Sequence, residues 1–212
     1  ITKIDNAKNA TEVFDLLRIE IERRGFSMFT YILLVGPEEH NPTHSFWVSS
    51  YPRNWTKHYL EEDYGPHDIV VRNAAMSTTP FLWSELPKRY LLTKTQRLVF
   101  ETGKDAGLES GATVPIRGPG KVLATFSVAS EDNNEEFQKL FKNHRHEIHM
   151  LATYAHERLM QLQIGNFRYE EHLLTAREIE VLTWAASGKS NEEMGIILNI
   201  SAETIKSHMA NI

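Results

Sequence analysis

Residues 175–212 read TAREIEVLTWAASGKSNEEMGIILNISAETIKSHMANI, and they break into three short helices with explicit start and stop signals. Thr175 followed by Glu178 is a capping box, in which a hydroxyl and a carboxylate each satisfy an orphan backbone N–H at a helix start. Ile179, Leu182, Thr183 and Ala186 follow at helical spacing, and Gly188 supplies a left-handed stop. A second capping box, Ser190 with Glu193, opens a helix carrying Met194, Ile197 and Leu198 on one face. Ser201 caps a third helix with Ile205, His208, Met209 and Ile212. The connection Leu198-Asn199-Ile200-Ser201 is tight. Helices joined by so short a turn outline a helix-turn-helix, whose last helix lies in the major groove of DNA.

Charge runs against that outline. The chain of 212 residues carries a net charge of −5. From Glu171 onward Arg177, Lys189 and Lys206 face Glu171, Glu178, Glu180, Glu192, Glu193 and Glu203, whereas a phosphate-binding surface should be basic. Hydrophobic residues make up 41% and charged residues 24%, enough apolar material for an ordinary globular core. The absence of cysteine excludes disulfides, thiolate catalysis and cysteine-ligated metals, and fits a cytoplasmic home. No apolar run approaches the ~20 residues of a membrane helix, so no membrane partner is expected.

Working back towards Ile1, residues 165–172 are polar and read as a linker, leaving 1–164 as a separate domain. Within it Thr11 to Arg24 is an amphipathic helix ended by Gly25, with Ala10, Phe14, Leu17 and Ile21 on one face. Met28 to Val35 is an almost continuous apolar strand, Gly36-Pro37 to Asn41-Pro42 a loop, and Ser45 to Ser49 a second strand. Helices are expected at Trp55–Glu62, Asp68–Met76, Thr93–Ala106 and from Asn134 to about Gln163. A hairpin turns at Gly118-Pro119-Gly120. The expected class is α/β: locally paired strands in an antiparallel sheet with helices on both faces, an α-β-α sandwich, plus the all-α C-terminal module. So large an N-terminal domain suits a sensor.

One cluster in that domain can bind a ligand: Tyr51, Trp55, Tyr59, Asp68 and Trp83. The first three are spaced by four and share a face if helical. Aromatics make an apolar cage with polar tips, and a lone carboxylate can hold a ligand N–H. The same residues also fit a plain core, with Asp68 capping the following helix. His144, His146, His149 and His156 lie in one segment, but His146 and His149 are three apart rather than four, so no metal is expected there. They read as a partly exposed helix face, a possible dimer contact. No nucleophile, triad or phosphate loop has its signature, so the chain is read as no enzyme. A phosphorylated receiver needs an aspartate at a strand end, and Met28–Val35 runs into Gly36-Pro37 instead.

These motifs together resemble the LuxR family of acyl-homoserine-lactone-responsive, quorum-sensing transcription factors over nearly the whole chain. The stretch Leu174 to Glu178, then Gly188-Lys189-Ser190, then Thr204 to His208 resembles the LuxR-type helix-turn-helix, which response regulators driven by phosphorylation also carry. The N-terminal motifs separate the two. The family's Asn-Tyr-Pro-x-x-Trp stands here as Ser50-Tyr51-Pro52-Arg53-Asn54-Trp55, and Tyr59, Asp68, Trp83-Ser84, Gly107-Leu108, Gly111 and Pro115-Ile116-Arg117 follow in the family's order. One departure is Ile69, where the family has proline after the aspartate.

The resemblance implies an N-acyl-homoserine lactone ligand, no cofactor and no metal. Trp55 would donate to the lactone carbonyl, Asp68 accept the amide N–H and Tyr51 donate to the amide carbonyl, with Ser127 helping there or at a 3-substituent. Trp83 would pack on the lactone ring. Tyr59 and Phe100 would line the pocket, with Leu60 and Val70 near the acyl chain. Residues 173–212 would be the DNA-binding domain, truncated within its third helix at Ile212. In that helix Lys206, Ser207 and Ala210 would face base edges, with Thr204 and His208 on phosphates or packing. A homodimer formed through the long helix would read palindromic double-stranded promoter DNA.

Overall fold

The computed structural model describes residues 2–35, 46–162 and 176–211 and divides into two compact units, Ile1–Arg168 and Tyr169–Ile212. Unit one opens with helices α1 (Thr2–Asp5) and α2 (Ala10–Glu22), the latter capped by the Asn9 side chain. Strands β1 (Met28–Val35) and β2 (Phe46–Ser49) follow, then α3 (Arg53–Glu61), a 3₁₀ turn at Gly65–His67, and α4 (Ile69–Met76). Next come β3 (Phe81–Leu82), a 3₁₀ turn at Trp83–Glu85, α5 (Leu86–Arg89) and α6 (Lys94–Asp105). Strands β4 (Ser110–Arg117) and β5 (Leu123–Ser130) precede the long α7 (Asn134–Gln161). The expected loop at Gly36–Pro42, the linker at 165–172 and the Thr175 capping box lie outside the described residues.

All strand pairs are antiparallel, in the order β2-β1-β5-β4-β3. The β1–β2 and β4–β5 pairs are local, as expected, but the pair that joins them, β1 with β5, links residues about a hundred positions apart. Side chains alternate between faces with period two. Phe29, Tyr31 and Leu33 of β1, Ala124, Phe126 and Val128 of β5, and Ala112, Val114 and Ile116 of β4 point to one face. There they form a single core with Phe14, Leu17 and Ile21 of α2 and Phe137, Ile148 and Leu151 of α7. At ~25 cal/mol per Å² of apolar surface this face is the main stabiliser of the unit. The opposite face is covered by α3, α4 and α6 and carries mostly small or hydroxylic side chains.

Within α7 the histidines do not share one role. His156 is buried at 4% exposure and its Nδ1 lies 2.8 Å from the Tyr31 hydroxyl, so it belongs to the core rather than to an exposed face. No group of three or more metal-binding side chains occurs among the described residues.

Unit two holds α8 (Ala176–Ala186), α9 (Asn191–Leu198) and α10 (Ala202–Asn211). The Ser190–Glu193 capping box forms as expected, Glu193 N–H to Ser190 Oγ at 3.2 Å and Ser190 N–H to Glu193 Oε2 at 2.9 Å. Gly188 has φ +79°, and the α9–α10 turn passes through Asn199 in the left-handed region. Ser201 accepts the Thr204 N–H at 3.0 Å and so starts α10. The small core is Val181, Met194 and Ile205, with Ala185, Leu198 and Ile200 against it. Among the described side chains of α8, Val181 is buried with Ala185 packed partly against the core, whereas Leu182, expected on the inner face, is 40% exposed and Ala186 is exposed too.

Burial pulls the His156 pKa down. A histidine held neutral in the fold but free to protonate when unfolded adds stability that is present above its unfolded pKa of ~6.5 and is lost as pH falls below it. Urea unfolding of the wild type is expected to weaken between pH 7.5 and pH 5.5, and His156→Gln to flatten that dependence; equal slopes for the two proteins would contradict it.

Candidate functional site

Between the second sheet face and α3, α4 and α6 lies a cavity of about 610 Å³. Its floor follows from the strand register. Ser49, Thr30, Ser127 and Thr113 stand opposite one another across β2, β1, β5 and β4, a row of hydroxyls. One step along, Trp47, Ile32, Thr125 and Pro115 form the next row; on the other side stand Met28, Ala129 and Gly111. These side chains are mostly small, so the helices close over space instead of interlocking with bulk.

Gly111 has a specific task. A Cβ there would sit 2.4 Å from the Trp83 ring, so the absence of a side chain is what lets the indole lie against β4. The Trp83 Nε1–H donates to Thr113 Oγ1 at 2.8 Å, and Thr113 pairs with Ser127 Oγ at 2.8 Å. Trp83 is thus fixed as a wall.

All the side chains expected at a ligand site meet here. Tyr51, Trp55, Tyr59 and Leu60 line the cavity from α3 and the turn before it, Asp68 and Val70 from α4, Phe100 from α6, with Trp83 and Ser127. Tyr51 lies outside the helix, because Pro52 precedes its first turn. Sequence reasoning missed the β1 and β2 contribution, Thr30, Ile32, Leu34 and Trp47, together with Thr125, Val99 and Leu108.

The polar groups divide into satisfied and free. Asp68 caps α4, its Oδ1 accepting the Val70 N–H at 2.7 Å, while Oδ2 accepts the Tyr59 hydroxyl at 2.9 Å. Asp68 therefore caps the helix, as expected, and lines the cavity as well. Desolvation raises its pKa, and the N–H groups of Val70 and Val71 and the Tyr59 hydroxyl counter that by stabilising the charged form. Burial, then the Asp68 charge, raise the Tyr59 and Tyr51 phenols, so both stay protonated donors. The Tyr51 hydroxyl is buried with no hydrogen bond of good geometry; Ser127 lies close enough to draw its pKa back, but Ser127 Oγ is engaged by Thr113. Trp55 is 7% exposed, and its ring packs on Tyr59 and Tyr64.

In unit two Thr204, Lys206 and Ser207 are exposed on α10 and His208 is half-buried; Ala210 lies in the helix, its side chain outside the description. Thr204 Oγ1 is tied to Ser201 Oγ at 2.8 Å, and Lys206 pairs with Glu203 at 3.2 Å.

Two family models match this chain: the autoinducer binding domain over residues 9–159, and the bacterial regulatory proteins of the luxR family over residues 172–212. The chain belongs to the LuxR family of quorum-sensing transcriptional regulators. It is 31% identical to the HTH-type quorum-sensing regulator RhlR of Pseudomonas aeruginosa over 206 residues, covering 94% of this chain and 80% of that protein. Escherichia coli SdiA has the same fold, with a TM-score of 0.63 at 20% identity over 98% of this chain and 84% of that one. So has CepR2 from Burkholderia cenocepacia, an N-acylhomoserine lactone dependent LuxR family factor, at TM-score 0.61 and 17% identity over 76% of this chain and 92% of that one. As a LuxR-family member the chain joins an autoinducer-binding domain to a DNA-binding helix-turn-helix and falls among transcriptional regulators, not enzymes.

Gly111→Ala is expected to push Trp83 off β4, costing about 1–3 kcal/mol of unfolding free energy and shifting the tryptophan emission. An unchanged urea midpoint and spectrum would refute that placement.

Proposed function

We propose that this protein is a transcription factor that binds an N-acyl-homoserine lactone in unit one and regulates palindromic promoter DNA as a homodimer in the cytoplasm. The supporting observation is the hydrogen-bond inventory of the cavity. The Tyr51 hydroxyl and the Trp55 indole N–H are donors without partners among the described residues, and Asp68 is an acceptor on both oxygens. An acyl-homoserine lactone offers the complement: two carbonyl acceptors, one amide N–H and an apolar tail. Trp55 then donates to the lactone carbonyl, Tyr51 to the amide carbonyl, and Asp68 accepts the amide N–H. Trp83 packs on the lactone ring, and Ser127 supports the amide end. Tyr59 holds Asp68, while Leu60, Val70 and Phe100 flank the tail.

Bound ligand stabilises the fold by mass action, by about 2.7 kcal/mol at a hundredfold excess over Kd. The dimer forms through α7, where Met150 and Tyr154, four residues apart, are 50% and 40% exposed. Two copies of α10 then enter successive major grooves, with Lys206, Ser207 and Ala210 towards base edges and Thr204 and His208 towards phosphates.

N-octanoyl-homoserine lactone at a hundredfold excess over Kd is expected to raise Tm by about 5–10 °C, and 1-octanoylglycerol, which lacks the N–H, by less. Asp68→Asn should weaken lactone binding by about 10- to 100-fold, and Trp55→Phe by a smaller factor. No thermal shift with any lactone would sink the proposal. For DNA, Lys206→Ala should weaken binding to the cognate palindrome by about 1–3 kcal/mol per copy and relax specificity at the base it reads. An equal loss on all duplexes, with the salt slope reduced by about one per copy, would instead place Lys206 on a phosphate.

A further inference from the structure

One sheet hydroxyl in the cavity is left over once that ligand is accommodated. Among the sheet hydroxyls that line the cavity, Thr30 donates to the Val48 carbonyl at 3.0 Å, Ser49 accepts the Tyr51 N–H at 3.0 Å, and Ser127 pairs with Thr113. Thr125 is only 2% exposed, lines the cavity, and forms no hydrogen bond among the described residues. Its cross-strand neighbours Ile32 and Pro115 offer it no polar side chain. A valine would fill the same volume; the Thr125 hydroxyl instead opens onto the cavity with no protein partner among the described residues, and a ligand tail that fills the cavity removes the water that can satisfy it.

Resting on the lactone reading of this cavity, we infer that Thr125 reads an oxygen in the distal half of the ligand's acyl chain, and that the ligand class is a tail-oxygenated acyl-homoserine lactone. Thr125 lies two residues from Ser127 on β5, a separation of about 7 Å along the strand. Ser127 stands at the amide end. An extended chain advances about 1.2 Å per bond, so Thr125 falls level with roughly the sixth or seventh acyl carbon. A plain alkyl tail buries the hydroxyl without a partner. A ketone or hydroxyl at that carbon satisfies it, while Ile32, Trp47 and Val70 pack the methylenes on either side.

The test is a binding series on the purified chain with the N-octanoyl, N-(3-oxooctanoyl), N-(6-oxooctanoyl) and N-(7-oxooctanoyl) homoserine lactones. One of the two distal ketones is expected to bind about tenfold tighter than the octanoyl compound. Thr125→Val should erase that advantage without weakening octanoyl or 3-oxooctanoyl binding, since valine spares their tails the cost of burying an unpaired hydroxyl. A wild type that binds plain octanoyl as tightly as both distal ketones overturns the inference while leaving the lactone site intact. So does a Thr125→Val protein that loses all four ligands in parallel, which would mark a structural role. Failure of every lactone to bind removes the lactone reading and this inference with it.

Discussion

The period-two division of the sheet is the constraint on which both the stability and the cavity of unit one depend. On β5, Ala124, Phe126 and Val128 join the core under α2 and α7, while Thr125, Ser127 and Ala129 face the other way. A strand cannot place bulk on one face without assigning the intervening residues to the other. Here those residues are small or hydroxylic, so the helices on that side cannot pack to core density against the sheet. A one-residue slip in the β1–β5 register would turn Phe126 into the cavity and Ser127 into the core, losing both at once.

Asp68 shows how the cavity tolerates a carboxylate. A bare carboxylate there would protonate or unfold the site. The helix it caps and the phenol of Tyr59 provide donors from two elements, and their convergence fixes the carboxylate's direction. The capping of α4 and the aim of the carboxylate towards the cavity are therefore one arrangement. Ile69, in place of the family's proline, leaves that arrangement intact, since the cap depends on the Val70 N–H.

The parts of the structure legible in sequence were those encoded within a few residues. The Ser190–Glu193 capping box, the α9–α10 turn and the spaced aromatics around Trp55 are of this kind. The β1 and β2 walls of the cavity were not legible, because Met28–Val35 reads as one continuous apolar run and only its pairing with β5 assigns Thr30 and Ile32 to the cavity. In α8, Val181 and Ala185 fit one helical stripe and Leu182 and Ala186 another, and only packing against Met194 and Ile205 selects the first. His156 was misplaced for a related reason: its hydrogen bond reaches Tyr31, 125 residues away, and no local pattern announces such a partner.

The acidity of unit two also reads differently once its side chains are placed. Arg177, Lys189 and Lys206 each pair with a glutamate, Glu180, Glu193 and Glu203, and in every pair both side chains are at least a third exposed. Exposed pairs of this kind are worth about 0.2–1 kcal/mol, so a phosphate can take over the cation at small cost. The glutamates are a heavier burden, because they repel the same phosphates over roughly a Debye length. On the proposed reading a single unit two is therefore a weak DNA binder, and useful affinity arises when two copies are tethered and the second contact becomes intramolecular. On that same reading the control of DNA binding lies in whatever governs pairing of unit one, where the cavity and α7 sit on opposite faces of the same sheet.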